Sequence, residues 1–364
     1  LELRPRDLLS RSMSRDIERA SDKAAAVASV RALRRSELCR IALADVLGAA
    51  DVTTVGLALS DLAGATLDAA LELARREVDA PPVGMGRWGG CELGYASDVD
   101  AMFVIPDGSG AEEQAAAARL VRLACDLVGK PGPDPAMVVD ADLRPEGKGG
   151  PLVRTVSSYL SYYARWSSVW EAQALLRARS AAGEQELASA VLEGVEGLRY
   201  PDGGLTAAQV AEIRRLKSRM ENERIPRGTD KERHLKLGSG GLSDVEWTIQ
   251  LLQLQHAGAR SALRTPSTLQ AIDAAEGLEL LTAEQAADLR EGWVHVSRVR
   301  NAIMLVRGRP GDALPVDYRE QSAVAELAGY DPGQRSRLVD DTIRVMRRAS
   351  WVVNQVFWGE LPKE

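Results

Sequence analysis

Cysteine and histidine are scarce: the chain has Cys39, Cys91, Cys125, His234, His256 and His295. The cysteines are odd in number and none of these residues shares the short spacing of metal ligands. A zinc site or a disulfide framework is thereby excluded, and a reducing cytoplasm is the expected setting. No apolar run approaches the ~18 residues that cross a bilayer, and no signal peptide opens the chain, so no membrane partner is expected. An excess of positive charge is also missing, since the formal net charge is −6. That argues against a surface built to neutralise nucleic-acid phosphates, and no nucleic-acid partner is expected. Lysine is rare, with seven among 46 basic residues and arginine supplying the other 39. With the many alanines, this bias fits coding drift in a GC-rich genome. Leu1 rather than methionine stands first, so the chain is read as a piece of a longer protein.

What is present is an ordinary globular composition. With 364 residues, 45% of them hydrophobic and 27% charged, the chain can bury a substantial core in two or three packing units. Helical periodicity covers 7–48 and 57–78, the latter stopped by Pro81–Pro82. The stretch 83–105 changes character: Gly84, Gly86, Gly89, Gly90 and Gly94 precede a strand-like run from Val99 to Ile105. A helix at 111–128 and a second strand candidate from Ala136 to Leu143 follow. From about 155 onward helices dominate, at 156–165, 169–195, 206–224, 241–257, 282–306 and 335–357. Loops at Pro201–Gly204, Arg227–Asp230 and Gly308–Pro315 separate some of them. The organisation expected is α+β and mostly helical: a helical lead-in over 1–80, a catalytic core with a small mixed or antiparallel sheet over 81–155, and a helical bundle over 156–364.

Asp98 and Asp100 open the first strand, where a spacing of two puts both carboxylates on one side. Two such charges repel unless a cation joins them, and Mg²⁺ suits carboxylate and phosphate oxygens. Gly89 and Gly90 let backbone amides approach phosphate without a Cβ in the way, and Ser97 adds a hydroxyl donor. A third carboxylate is expected from the second strand, where Asp140 and Asp142 lie on one face; Asp140, flanked by apolar residues, is the choice. Each element alone is weak, since Asp-x-Asp is usually a solvated turn and Gly-Gly a hairpin. Their combination reads as a metal-dependent nucleotidyltransferase site.

Several blocks in order resemble the glutamine synthetase adenylyltransferase/adenylyl-removing enzyme family, of the kind found in GC-rich, actinobacterial-type bacteria. They are Gly84-Met85-Gly86-Arg87-Trp88-Gly89-Gly90-Cys91-Glu92-Leu93-Gly94-Tyr95-Ala96-Ser97-Asp98, Val139 through Gly147 with Gly150–Val153, Trp170–Arg179, and Lys236 through Trp247. Leu33–Ile41 resembles the helix leading into the domain. The spellings Gln173-Ala174-Leu175 and Ser243-Asp244-Val245-Glu246 are similar to the C-terminal, AMP-transferring half. The resemblance implies a polymerase-β-type nucleotidyltransferase fold and transfer of AMP from ATP to a tyrosine of glutamine synthetase, regulating nitrogen assimilation. It implies Mg²⁺, as two ions, on Asp98, Asp100 and Asp140, with ATP phosphates on Gly89, Gly90 and Ser97. Where the family often carries arginine this chain has Asp142, which leaves Arg144 as the phosphate contact. Glutamine synthetase and a PII-type signalling protein are the implied partners. The alternatives are the phosphorolytic half, which removes AMP and releases ADP, and a non-catalytic domain sensing nucleotide or PII.

Three features read either way. Trp170, Glu171 and Arg177 suit a core tryptophan with ion pairs or a nucleotide contact. Gly238–Glu246 suits a phosphate-facing helix start, or a capping box from Ser243 to Glu246. Arg214, Arg215, Lys217, Arg219 and Arg224 alternate with Glu212, Glu221 and Glu223, and the solvated, salt-bridged helix is the expected reading.

Overall fold

Asp22 breaks the first helical stretch in two, because its carboxylate accepts the Ala25 amide at 2.8 Å and caps a new helix. The computed structural model describes residues 2–87, 89–225 and 230–360. Trp88 of the glycine block, and 227–229 of the loop expected at Arg227–Asp230, lie outside the described residues. Packing divides the chain into two units, Leu1–Leu93 with Ser97–Leu198, and Gly94–Ala96 with Arg199–Glu364.

The first unit begins with helices α1 (Arg6–Arg19), α2 (Lys23–Val46) and α3 (Val52–Arg75). Asp51 caps α3 by accepting the Thr54 amide at 2.7 Å. By length and composition α3 is apolar enough to cross a membrane, which corrects the sequence reading that no such run exists. The reason is burial: 78% of its apolar window is inside the protein, packed by α1, α2 and the sheet layer, so it serves as the core helix. Strands β1 (Gly84–Arg87) and β2 (Val99–Ile105) follow, then α4 (Ala111–Gly129), β3 (Val139–Asp140), β4 (Val153–Thr155), α5 (Val156–Trp166), α6 (Val169–Leu175), β5 (Ser180–Gly183) and α7 (Gln185–Gly194). A short turn of helix, α8 (Glu196–Arg199), marks the end of the unit.

The sheet is mixed. β1 pairs antiparallel with β2 and β5, whereas β3 and β4 run parallel to β2. Both parallel partners lie along one side of β2: β3 meets its start at Val99–Asp100, and β4 meets its end at Phe103–Ile105. Between them the chain leaves the sheet at Ala141–Leu152, with Glu146 and Gly147 both left-handed. That excursion is why the expected strand from Ala136 to Leu143 is only two residues long.

The stretch 169–195 is not one helix. Ser180–Gly183 has no β-branched residue and reads as helix by propensity, yet it supplies an edge strand to β1. Gly183 makes the exit possible, since it sits at φ +65° and a Cβ there would lie 2.2 Å from the Val83 carbonyl oxygen. With β5 and α7 on the sheet, the first unit runs to Leu198, well past the 155/156 boundary drawn from the sequence.

The second unit is helical: α9 (Ala207–Arg224), α10 (Leu242–His256), α11 (Thr268–Gly277), α12 (Ala283–Arg307), α13 (Tyr318–Leu327) and α14 (Arg335–Val353), the last continuing as a wide turn over Asn354–Trp358. Helix α12 is the centrepiece, packed by α10, α11, α13 and α14, with Val296, Val299 and Ile303 fully buried. Helices α11 and α13 were not foreseen.

Candidate active site

Strand β2 sorts its side chains by the two-residue period. Val99, Ala101, Phe103 and Ile105 enter the core made with α3 and α4, while Met102 and Val104 pack on the opposite face against Tyr159, Tyr163 and Val191. Asp100 therefore belongs to the Met102 face, and Asp98, just before the strand, precedes it there. Tyr159 holds that face in place, donating its buried hydroxyl to the Phe103 carbonyl at 3.0 Å. The apolar cover lies over the later part of the strand: Asp98 is exposed and Asp100 half-buried.

The crossover through α4 brings back the third carboxylate. The Val99 amide donates to the Val138 carbonyl at 3.0 Å, and the parallel register sets Val99 beside Val139 and Asp100 beside Asp140. Side chains at paired positions share a face, so Asp98, Asp100 and Asp140 occupy one edge, with neighbouring strands ~4.8 Å apart. The Asp142 amide donates to Asp140 Oδ1 at 2.7 Å and orients that carboxylate. Asp142 itself turns to Lys148, at 3.2 Å, and Arg144, at 3.7 Å. The three aspartates share an edge rather than a closed shell: among the described residues, no three His, Cys, Asp or Glu side chains form a group that could hold a metal ion. Their donors are hard oxygens throughout, which suits Mg²⁺ and not a thiophilic metal.

Gly89, Gly90 and Cys91 form one tight turn with φ of +46°, +68° and +63°. Glycine tolerates this region freely, whereas Cys91 bears a strain of ~1–2 kcal/mol. Gly90 is buried, Gly89 half-buried, and Ser97 exposed. Helix α3 supports the turn from beneath at Gly56, where a Cβ would lie 3.1 Å from the Cys91 carbonyl oxygen. Burial pushes the Cys91 thiol above its usual range, so it stays protonated. Burial also raises the Asp61 carboxyl, in spite of the Arg179 guanidinium nearby.

Arg144 is occupied by its own loop, donating to the carbonyls of Ala141 at 2.7 Å, Gly150 at 3.2 Å and Lys148 at 3.3 Å. Arg177, beyond the end of α6, donates through Nη2 to the Gly89 carbonyl at 3.0 Å and to Glu92 Oε2 at 2.8 Å. The sequence offered Arg177 as one of three undecided helix residues; that it reaches back 88 positions to the glycine turn had no local signal. Trp170 is exposed rather than a core residue. Glu171 is the third residue of a true capping box, accepting the Ser168 amide at 2.9 Å and the Tyr162 hydroxyl at 3.0 Å.

In the second unit the glycine segment serves packing. A Cβ on Gly240 would meet the Met346 carbonyl oxygen at 1.7 Å, and one on Gly238 the His234 carbonyl oxygen at 2.3 Å. The Gly240 amide donates to Asp244 Oδ2 at 2.7 Å. The capping box from Ser243 to Glu246, one of the two readings left open, does not form, because α10 starts at Leu242 with Gly241 as its cap and buries Ser243. Lys217, expected on a solvated face, is fully buried and ion-paired to both Glu221 and Asp244. A cavity of about 330 Å³ lies beside α12, lined by His295, Arg298, Tyr330 and Asp341 among others, and holds none of the aspartates, glycines, Ser97 or Arg144 assigned to the candidate site.

Fold and site together define an α+β, mostly helical chain whose small mixed sheet carries three aspartates on one edge, with a glycine turn leading into its central strand. The family model described as glutamate-ammonia ligase adenylyltransferase matches residues 4–194, more than half of the chain, and the chain belongs to that family. A second family model, GlnD PII-uridylyltransferase, matches residues 208–357. The gap between the two matches contains the packing boundary at Leu198. A bifunctional glutamine synthetase adenylyltransferase/adenylyl-removing enzyme from Cutibacterium acnes is 53% identical over 359 residues, covering 98% of this chain and 36% of that protein. Proteins of the same description from Streptomyces avermitilis and Mycolicibacterium smegmatis are 48% and 46% identical, covering 99% and 97% of this chain and 38% and 36% of their own lengths. The chain thus spans little more than a third of the curated relatives it matches.

Proposed function

We propose that this chain transfers AMP from ATP to a tyrosine of glutamine synthetase and releases pyrophosphate, on a polymerase-β-type nucleotidyltransferase unit. The observation that carries the reading is the register setting Asp100 beside Asp140, on a sheet whose central strand follows the glycine turn. The relatives' names supply glutamine synthetase as the substrate, and they also name an opposing, adenylyl-removing activity.

Asp98, Asp100 and Asp140 would hold Mg²⁺, as two ions. Mg²⁺ supplies neutralising charge to the triphosphate when bound. The amides of Gly89 and Gly90 and the Ser97 hydroxyl receive phosphate oxygens, and Arg144 adds the N–H groups left over from its three carbonyl bonds. A tyrosine hydroxyl has an unperturbed pKa near ~10, so its proton needs an acceptor at neutral pH. Asp140, oriented by the Asp142 amide, receives it. The bond from tyrosine oxygen to the α-phosphorus forms as the bond from the α-phosphorus to the bridging oxygen breaks. The electron pair leaves with pyrophosphate.

Glutamine synthetase is the proposed partner, supported by the relatives' names. A PII-type signalling protein is proposed as a second, supported by the match over 208–357. The proposed setting is the cytoplasm, where ATP and such a synthetase meet. The test uses the full-length protein containing this chain, with unmodified glutamine synthetase, Mg²⁺ and α-labelled ATP. Label on the synthetase, lost with Asp98→Asn, is the expected result. Unlabelled synthetase overturns the reading. ADP release from AMP-modified synthetase on adding phosphate, lost with the same variant, assigns this chain to the phosphorolytic, AMP-removing reaction instead.

A further inference from the structure

We propose that Arg177 is a positioning residue that locks the Gly89–Cys91 turn into its nucleotide-receiving conformation; this rests on the reading of that turn as the phosphate cradle. A turn of three successive left-handed residues does not hold itself. Cys91, at φ +63°, is the strained member, and relaxation toward the right-handed region would swing the amides of Gly90 and Cys91 away.

The structure closes the turn from two sides. From below, Gly56 lets α3 approach so closely that a Cβ there would lie 3.1 Å from the Cys91 carbonyl oxygen and 3.2 Å from the Glu92 Cα. From the other side one guanidinium nitrogen, Arg177 Nη2, bridges the Gly89 carbonyl at 3.0 Å and Glu92 Oε2 at 2.8 Å. The Gly89 carbonyl also accepts the Glu92 amide at 3.2 Å, so the two ends of the turn are tied twice. Both charged side chains are sheltered, with 17% of Arg177 and 6% of Glu92 exposed. A charge-assisted bond in such a setting is stronger than its surface counterpart.

The trans peptide gives this tie a direction. Across a trans peptide bond the carbonyl of one residue and the amide hydrogen of the next point to opposite sides. Fixing the Gly89 carbonyl on Arg177 therefore fixes the Gly90 N–H pointing away from Arg177. The residue acts through the backbone it orients and needs no contact with the nucleotide.

Two readouts test this in the full-length protein, using MgATP as the probe. Arg177→Ala should raise the KM for MgATP about tenfold or more and leave kcat within about threefold. The same variant should speed hydrogen exchange at the amides of Gly90–Glu92 without speeding it in α12. Arg177→Lys, with a single donor centre, should recover part of the KM, as a purely packing role would not. If Arg177→Ala folds poorly, Glu92→Gln keeps the shape, removes the charge and should move KM in the same direction. Faster exchange with an unchanged KM overturns the proposal, leaving Arg177 a structural staple. Unchanged exchange overturns it as well. If the wild-type protein shows no dependence on MgATP, the reading of the turn as a nucleotide site fails, and the exchange data still decide whether Arg177 holds the turn.

Discussion

Asp100 on β2 stands directly beside Asp140 on β3, in a parallel register secured by the Val99 amide on the Val138 carbonyl. Two carboxylates on neighbouring strands and one face repel each other, so the pair is a cost to the fold. Asp100→Asn and Asp140→Asn should each leave thermal stability unchanged or raised, while AMP transfer falls by at least about a hundredfold. Thermal melting beside the labelled-ATP assay checks both. A variant that loses stability and activity together would make the aspartates structural and sink the assignment.

Gly240 carries a prediction about packing alone. Its φ is +72°, and an added Cβ would sit 1.7 Å from the Met346 carbonyl oxygen on α14. Gly240→Ala therefore adds left-handed strain of ~1–2 kcal/mol to a backbone clash that no side-chain rotation relieves. A drop in denaturation midpoint larger than that strain alone produces is expected. Gly108, also left-handed at φ +83° but with nothing within 4 Å, is the control: Gly108→Ala should show only the strain. Equal effects at the two positions would refute the packing account.

The contrast between these two sites shows which features the sequence carried openly. Val99–Ile105 matches its expected bounds, because seven residues between turn signals have few other options. The aspartates were readable for the same reason: a period of two puts Asp98 and Asp100 on one side without any knowledge of the fold. The apolar flanks of Asp140 marked it as the third carboxylate, but that it lies beside Asp100 depends on the α4 crossover and had no local signal. Strand β5 was hidden, since Ser180-Ala181-Ala182-Gly183 prefers helix until β1 offers a hydrogen-bonding edge. The glycines of 238–241 spell a phosphate loop as readily as a packing site. Only the carbonyls of His234, Leu235 and Met346 decide between them. Lys217 looked solvated because its charged neighbours share the helix, yet its partner Asp244 lies 27 residues away.

Lys217 lies fully buried between the rings of Trp247 and Phe357, each 5.8 Å away, and bonds to both Glu221 and Asp244. Asp244 in turn accepts the Gly240 amide. Removing the cation leaves a buried carboxylate unpaired, and Lys217→Met should cost about 3–5 kcal/mol. Burial already raises the Glu221 carboxyl above its usual range, so part of that loss is recovered when Glu221 takes up a proton. Chemical denaturation of the variant should therefore show a smaller deficit at pH 5 than at pH 8. A deficit independent of pH would mean that lost packing, not the orphaned charge, is responsible.

His234, His256 and His295, all in the second unit, have pKa values drawn below the usual 6.5, in each case chiefly by burial. His295 shows the local chemistry. Thr342 donates its hydroxyl to the Leu338 carbonyl at 2.7 Å, so the 2.8 Å contact with His295 Nε2 requires a proton on that nitrogen. Asp341 and Glu291 favour protonation of the other nitrogen, Arg298 and Arg344 oppose it, and burial outweighs all four. The unfolded chain takes up protons as pH falls through 6.5, whereas the folded histidines take them up only at lower pH. Their contribution to stability is complete above 6.5 and is lost as pH falls through the folded values. The melting temperature of the second unit should be level above about pH 7 and decline as pH falls below about 6.5. His295→Gln retains a donor toward Thr342 without titrating, so it should flatten part of that decline. An acid limb as steep in His295→Gln as in the wild type would remove His295 from the account and leave the loss to the carboxylates.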